Sequence, residues 1–152
     1  MAKLCDAFYI GGTKCGTLCG EAVVIPNQNI ITNFFTIAKQ HGALLAKGRL
    51  LGLQFDELFK DELYLKIGKS AIENAERITK AFSKYGYRLY FESPTNQIFV
   101  IVDDEIKNRI AEKVEFGFWE KYDDTHTVIR FAVSWATRDE EVDELIKIIS
   151  SL

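Results

Sequence analysis

The sequence predicts a mixed α/β chain that ends in a small α+β domain. From residue 61 onward the predicted order is helix, strand, strand, helix, strand, strand, helix, which gives a small sheet with helices on one face. The first observation behind this is an apolar stripe at helical spacing, formed by Ile72, Ala75, Ile78, Phe82 and Tyr85. The second is a set of alternating apolar residues, typical of a half-buried strand, at Tyr87, Leu89 and Phe91. A continuous apolar run over 98–102 predicts a central strand.

The N-terminal third of the chain predicts two strands on either side of a lysine, followed by connecting helices. Apolar residues at 8–10 precede Gly11-Gly12, and a second apolar run occupies 22–25. A helical pattern begins at Asn29, is interrupted at Gly42, and resumes from Ala43 to Phe59. Residues 29–60 are therefore interpreted as connecting helices between residues 1–28 and the small domain at 61–152.

The small domain is justified by its helix and turn signals. A helix over Asp61–Tyr85 is stopped by Gly86. A turn follows at residues 93–96, where Asn96 is expected to bond to local backbone. The next helix is predicted to begin at Asp103 or Asp104, and further strands are predicted over 116–119 and 127–135. Thr137 with Glu140 three residues later predicts a capping box that opens the last helix.

Composition excludes several classes of function. The chain has 152 residues, 47% of them hydrophobic, and a net charge of −3, so it has no basic field for nucleic acid or an anionic membrane. No apolar run approaches the roughly 20 residues that span a bilayer. An odd number of cysteines, three, is typical of a reducing cytoplasm. Cys15 and Cys19 have no second cysteine pair at zinc-site spacing, so no metal site is predicted.

Lys14 is the first candidate for chemistry. It follows two glycines, which allow the backbone to approach a bound group closely, and Thr13 offers a hydroxyl beside it. A lysine shielded from water has a lowered pKa, because desolvation disfavours the charged amine. The neutral amine can form a Schiff base with a carbonyl. The alternative from the local pattern alone is a solvated lysine in a glycine-rich turn.

Arg130 is the second candidate. On the predicted strand, alternation puts Val128, Arg130 and Ala132 on one face. An arginine between apolar residues is costly unless it is paired, and its planar guanidinium suits bidentate binding of a carboxylate. The alternative is an arginine whose charged end reaches solvent from the edge of the sheet.

Several segments, in order, carry a resemblance to a known family. Residues 4–14 (LCDAFYIGGTK) and 20–24 (GEAVV) resemble the cofactor-lysine segment of the threonine aldolases, which are pyridoxal-phosphate enzymes of the β-eliminating lyase group. Similarity continues at 38–49, 93–99, 128–131 and 134–137 and so covers nearly the whole chain. The resemblance implies an aspartate-aminotransferase-like fold. In it, residues 1–28 would be two strands left from the large cofactor-binding domain, and 61–152 the small, mostly antiparallel C-terminal domain.

The resemblance also implies roles for particular residues. Lys14 would carry the covalent link to pyridoxal 5'-phosphate, with Thr13, Lys39 and Lys47 as further cofactor-binding residues, and Arg130 would bind the substrate carboxylate. From the residues themselves, Lys39 and Lys47 can equally be solvated helix lysines. The family's ring-stacking histidine precedes the lysine, so neither histidine of this chain fills that role.

The function that the resemblance implies is a pyridoxal-phosphate-dependent aldehyde-lyase. It would cleave a small amino-acid substrate, threonine or allo-threonine, to glycine and acetaldehyde. Relatives carry an N-terminal part with the phosphate loop, so we expect an incomplete chain with little activity alone, which acts as a homo-oligomer or together with the missing half. The alternative from another class is a non-catalytic ligand- or partner-binding module formed by residues 61–152.

Overall fold

A computed structural model describes residues 1–27 and 29–152 of the chain. It contains two compact units, Met1–Lys66 and Ile67–Leu152, which we call unit 1 and unit 2. The predicted boundary at residue 28 lies outside the described residues. The division into 1–28, 29–60 and 61–152 stays a prediction.

Unit 1 is built from a two-stranded antiparallel ribbon and two helices. Its elements are β1 (Phe8–Gly11), β2 (Glu21–Val24), α1 (Phe34–Gln40) and α2 (Arg49–Phe59). In the ribbon, Phe8 lies opposite Val24 and Gly11 lies opposite Glu21. The two predicted strands around Lys14 are therefore confirmed.

The helices of unit 1 begin later than the sequence predicts. The helix predicted from Asn29 begins at Phe34, because Asn33 has a left-handed backbone with φ 57°. The helix predicted from Ala43 begins at Arg49, because residues 43–45 are irregular and residues 46–48 form a turn. In both cases the helical spacing of apolar residues continues into segments that are not helical in the structure.

Unit 2 contains a four-stranded antiparallel sheet and three helices, the first of which begins in unit 1. Its elements are α3 (Leu63–Lys84), β3 (Arg88–Leu89), β4 (Gln97–Asp103), α4 (Asp104–Ala111), β5 (Gly117–Lys121), β6 (His126–Ala132) and α5 (Asp139–Ser150). The strand order is β3-β4-β6-β5, with every neighbouring pair antiparallel. The order of elements predicted from residue 61 is confirmed.

The helices of unit 2 pack on one face of this sheet. Phe82 of α3 is fully buried and its ring lies 5.5 Å from that of Phe131 in β6. The same core receives Ile110 from α4 and Val142 from α5. Every second residue of β4 and β6 points into it, namely Ile98, Val100, Val102, Ile129 and Phe131. The predicted small sheet with helices on one face is therefore confirmed.

Three local predictions from residue 61 onward are corrected. The helix predicted from Asp61 begins at Leu63, because Asp61 and the residue after it have positive φ angles. The strand predicted over Tyr87–Phe91 is shortened to Arg88–Leu89. Asn96 does not bond to local backbone, since its side-chain nitrogen donates to the carbonyl oxygen of Val133 at 2.6 Å.

The predicted capping box is also displaced by one residue. The cap of α5 is Arg138, whose backbone N–H donates to Glu141 Oε2 at 3.0 Å. Thr137 instead accepts a hydrogen bond from the backbone N–H of Ser134 at 2.9 Å. Its hydroxyl closes the turn before the helix rather than the helix itself.

The two edges of the sheet differ in construction. β3 contributes only Arg88–Leu89 to one edge. β5 forms the other edge, and its register with β6 shifts between Phe118 and Glu120, which marks a β-bulge. Neither edge therefore offers a long, regular ladder of backbone groups.

Candidate functional site

Lys14 lies in a single 3₁₀ turn, Thr13–Cys15, which we call the lysine turn. The turn follows β1 directly, and the backbone N–H groups of Cys15 and Thr17 both donate to the carbonyl oxygen of Gly12, at 2.8 and 3.1 Å. Gly16, with φ 98°, ends the turn in a left-handed conformation that favours glycine. The backbone thus presents Lys14 at the tip of a short, hydrogen-bonded turn.

Gly12 allows this turn to pack closely against α2. A Cβ atom at Gly12 would lie 2.9 Å from Cζ of Phe55 and 2.5 Å from Oγ1 of Thr17. Thr17 is itself buried, and its hydroxyl has no hydrogen-bond partner in the described part of the chain. A side chain at position 12 would therefore force Thr17 or Phe55 to move.

Gln54 of α2 fastens the segment that follows the lysine turn. Its Oε1 accepts a hydrogen bond from the backbone N–H of Leu18 at 2.8 Å, and its Nε2 donates to the carbonyl oxygen of Leu50 at 3.1 Å. The same Nε2 lies 4.0 Å from Sγ of Cys19. One side chain of the helix therefore holds the loop between Lys14 and β2.

The Lys14 side chain is exposed, so the described residues of unit 1 do not shield it from water. Among the described residues it forms no ion pair, and the same holds for Lys39 and Lys47. Lys39 lies in the last turn of α1, Lys47 lies in the turn before α2, and both are exposed. Thr13 is exposed beside Lys14 and does not cap the turn. The structure shows no contact that joins these side chains to Lys14.

Tyr64, in the first turn of α3, lies next to the lysine turn. Burial raises the pKa of its hydroxyl, and the neighbouring Cys15 acts in the same direction. Tyr64 also stacks on Phe59, with ring centroids 5.4 Å apart. The neutral phenol is therefore favoured beside the turn.

Arg130 lies in unit 2 on the sheet face opposite the helices, which we call the open face. Its partners across the sheet are Phe99 in β4 and Gly117 in β5. Phe99 is 6% exposed, and Val128 on the same face is fully buried. The predicted sharing of one face by Val128, Arg130 and Ala132 is confirmed.

Arg130 is half-buried, and the partners of its guanidinium group among the described residues are weak. Its Nη1 lies 3.5 Å from Oε1 of Gln97, beyond the usual hydrogen-bond range, and its Cζ lies 6.0 Å from the ring centroid of Trp119. In the part of the chain that the structure describes, no carboxylate pairs with it. A half-buried cation with unused donors can accept a planar anion.

His126 takes no part in either candidate site and instead joins the loop between β5 and β6 to the end of β4. Its Nδ1 lies 2.9 Å from Oδ1 of Asp123 and its Nε2 lies 3.2 Å from Oδ1 of Asp103. The hydrogen bond with Asp123 raises the pKa of His126. Backbone and side-chain bonds from Thr125 and His126 lower the pKa of Asp123 to about 2. The other histidine, His41, caps the end of α1 through its backbone.

A polar network lies beside this histidine. Asp104, the first residue of α4, pairs with Lys121 and Lys107 and accepts the hydroxyl of the buried Thr127 at 2.6 Å. These bonds, that of Lys121 above all, hold the pKa of Asp104 well below its usual range. The network fixes the start of α4 to the strand β6.

Sequence reasoning missed the residues that hold the two candidate side chains in place. Gln54 is half-buried on α2, and no local pattern marks it as a partner of Leu18. Gly117 carried a usable signal, because a glycine inside a strand often marks the close approach of another group. Its partner is the guanidinium of Arg130, whose Nε would lie 3.2 Å from a Cβ atom at position 117.

Two further classes of site are not found. Among residues 1–27 and 29–152, no group of three or more histidine, cysteine, aspartate or glutamate side chains is arranged to hold a metal ion. Within the same ranges, no helix combines the length and the apolar character needed to cross a membrane.

Known sequences resemble the chain over almost all of its length. The low-specificity L-threonine aldolase of Pseudomonas aeruginosa is 28% identical over 148 residues, which make up 93% of this chain and 40% of that protein. The enzyme of the same name from a Pseudomonas species, strain NCIMB 10558, is 28% identical over 146 residues. The chain thus spans about two fifths of the length of these curated relatives. No protein-family model matches it.

Solved structures also resemble the chain. Threonine aldolase of Leishmania major superposes with a TM-score of 0.92 and 34% identity over 99% of this chain and 44% of that chain. An archaeal O-phosphoseryl-tRNA(Sec) selenium transferase, at 16% identity and a TM-score of 0.61, shares the fold alone, over 97% of this chain and 38% of that one. The same is true of 8-amino-7-oxononanoate synthase from Francisella tularensis, at 15% identity and a TM-score of 0.57, over 86% of this chain and 41% of that one.

These matches confirm the predicted fold class, a mixed α/β chain of the aspartate-aminotransferase type with a small antiparallel domain. The two curated relatives have the same name, and each resembles almost the whole chain in sequence. In sequence and in fold, the chain is related to the threonine aldolases, as its resemblance predicted.

Proposed function

We propose that this chain carries the cofactor lysine and the substrate-carboxylate arginine of a pyridoxal-phosphate-dependent aldehyde-lyase. The reaction is the cleavage of a β-hydroxy amino acid, threonine or allo-threonine, to glycine and acetaldehyde. The observation that carries the proposal is the match to Leishmania major threonine aldolase over 99% of the chain, with Lys14 on a hydrogen-bonded turn between two strands.

The residues of the lysine turn fit pyridoxal phosphate in their chemistry. Lys14 offers an exposed primary amine that no acidic side chain of the described residues engages. The hydroxyl of Thr13 and the ammonium groups of Lys39 and Lys47 are the groups that we assign to the phosphate. When bound, pyridoxal phosphate takes up the electron pair that is left as the Cα–Cβ bond breaks.

The chain's own residues orient the substrate and move protons. Arg130 binds the α-carboxylate through paired N–H donors, which fixes the amino acid in one orientation. The β-hydroxyl loses its proton, the Cα–Cβ bond breaks, and Cα gains a proton, so that threonine gives glycine and acetaldehyde. The amine of Lys14, when it is free, can hold or release a proton at Nζ.

We also propose that unit 1 works in contact with further polypeptide, either a second copy of the chain or an N-terminal half like that of the longer relatives. Large apolar side chains are strongly exposed on it, among them Tyr9 at 70%, Leu18 at 93% and Phe35 at 72%. Such a surface is typical of an interface rather than of a free monomer.

Three free thiols, at Cys5, Cys15 and Cys19, favour the cytoplasm as the compartment of this chain.

The first experiment tests whether Lys14 is the attachment point. The chain is incubated with pyridoxal phosphate, reduced with borohydride to fix the cofactor to any amine it has joined, digested, and analysed by mass spectrometry. We expect a dominant label on Lys14, which is lost in Lys14→Ala and kept in Lys3→Ala, the matched exposed lysine of unit 1. A label spread equally over many lysines would contradict the proposal.

A second experiment tests the reaction. Acetaldehyde release from threonine and allo-threonine is measured with the chain alone and with an added N-terminal half of a threonine aldolase. We expect little release from the chain alone and a clear increase with the added half, dependent on Lys14. If labelling is specific but no aldehyde forms in either case, the alternative of a binding module is favoured.

A further inference from the structure

Gly117 occupies a position where any side chain would meet the guanidinium of Arg130. The two residues face each other across the β5–β6 pair. A Cβ atom built at position 117 would lie 3.2 Å from Nε, 3.3 Å from Nη2 and 3.6 Å from Cζ. Because both nitrogens are nearer than Cζ, the Cβ would lie beside the Nε–Nη2 edge of the group rather than over its flat surface.

The surroundings leave one edge of the guanidinium available. The Nε–Nη2 edge faces Gly117, and the ring of Trp119 lies 6.0 Å from Cζ. Among the described residues, the polar contact of Nη1 is the 3.5 Å one with Oε1 of Gln97, which a stronger acceptor can replace. The edge formed by Nη1 and Nη2 therefore presents two parallel donors, the arrangement that a carboxylate binds in a bidentate manner.

We propose that Gly117 is a positioning residue for the carboxylate site, and this rests on the role proposed above for Arg130. The missing side chain at 117 lets the Nε–Nη2 edge settle against the backbone of β5. This leaves the Nη1–Nη2 edge for the amino-acid carboxylate. A methyl group at 117 moves the guanidinium by a few tenths of an ångström, because the contact would be tighter than ordinary van der Waals packing. The backbone of Gly117 itself tolerates alanine, since its φ lies outside the left-handed region.

The test uses the full chain and acetate as the carboxylate probe. The Nε–H resonance of Arg130, identified by its loss in Arg130→Lys, is followed by nitrogen-edited nuclear magnetic resonance during an acetate titration at constant ionic strength. Gly117→Ala is compared with the wild-type chain and with Gly68→Ala, a control in the same unit where a Cβ meets nothing within 4 Å. We expect about tenfold weaker acetate binding in Gly117→Ala, the cost of about one charged hydrogen bond, and no change in Gly68→Ala.

Two further variants separate positioning from a general loss of structure. Gly117→Val should weaken binding more than Gly117→Ala, because its side chain is larger. In the Arg130→Lys background, where acetate binding is followed by the backbone amide resonances of β5 and β6, Gly117→Ala should leave the remaining acetate affinity unchanged, since lysine has no Nε–Nη2 edge. Equal acetate affinity in the wild type and Gly117→Ala would overturn this inference and leave the role of Arg130 standing. If Arg130 did not respond to acetate in the wild-type chain, the inference and the carboxylate role would fail together.

Discussion

Removal of the Gln54 side chain should loosen the segment that follows Lys14. In the structure, Gln54 Oε1 accepts the backbone N–H of Leu18 at 2.8 Å, and this bond links α2 to the loop between the lysine turn and β2. Gln54→Ala deletes the acceptor and leaves the helix backbone unchanged. The Leu18 amide should therefore exchange with solvent more readily.

The size of the effect follows from the geometry. A neutral hydrogen bond of good length between exposed groups contributes about 1 kcal/mol to local stability. Loss of that amount increases the population of the open state about fivefold at room temperature. The freed Leu18 N–H is exposed to water and carries no burial penalty, so a larger effect is not expected.

The assay is amide hydrogen exchange of the cofactor-free chain, read residue by residue by nuclear magnetic resonance. Gln54→Glu keeps an acceptor oxygen at the same place and should retain most of the protection at Leu18. Gln40→Ala, at the exposed end of α1, is the matched control and should leave Leu18 unchanged. If exchange at Leu18 were the same in the wild type and in Gln54→Ala, the reasoning that this side chain fastens the loop would be refuted.

Two predictions concern the stability of unit 2. Phe82→Ala should lower the free energy of unfolding by about 3–5 kcal/mol, since Phe82 is fully buried, whereas Phe118→Ala, at a side chain 67% exposed, should cost less than about 1 kcal/mol in the same urea titration. Asp123 raises the pKa of His126 above 6.5, with a smaller contribution from Asp103. The protonated His126 therefore stabilises the folded chain fully below pH 6.5, and this stabilisation is lost as the pH rises through the folded-state pKa. Urea titrations across that pH range should show this loss in the wild type, and a His126→Gln chain with the same pH dependence would contradict it.

The alternation of residues predicted the open face correctly because a strand has a fixed period of two. Arg130 and Val128 share that face in the structure, as expected from sequence alone. Helix starts were predicted less well. An apolar pattern records which residues face a core, whereas the start of α1 depends on the left-handed backbone of Asn33, which no periodicity reveals.

The contact of Gln54 with Leu18 and that of Gly117 with Arg130 could not be predicted, because each joins residues that are distant in the sequence. Gln54 and Leu18 are 36 residues apart in sequence. Gly117 meets Arg130 only because β5 pairs with β6 in a particular register, and that register shifts at a bulge two residues further on. The turn that carries Lys14 could be predicted from local sequence, since its glycines and its strand lie directly beside it, whereas the role of Lys14 stays a prediction.

The bulge in β5 also affects the tendency of unit 2 to aggregate at high concentration. A regular edge strand is a template on which another chain can add its own strand, and this is a common route to aggregation. Here the edge strand β3 consists of Arg88–Leu89 alone. The other edge strand, β5, has its bulge between Phe118 and Glu120 and ends in the charged residues Glu120 and Lys121. Both edges resist strand addition, so unit 2 should remain dispersed under conditions that aggregate proteins with long, flat sheet edges.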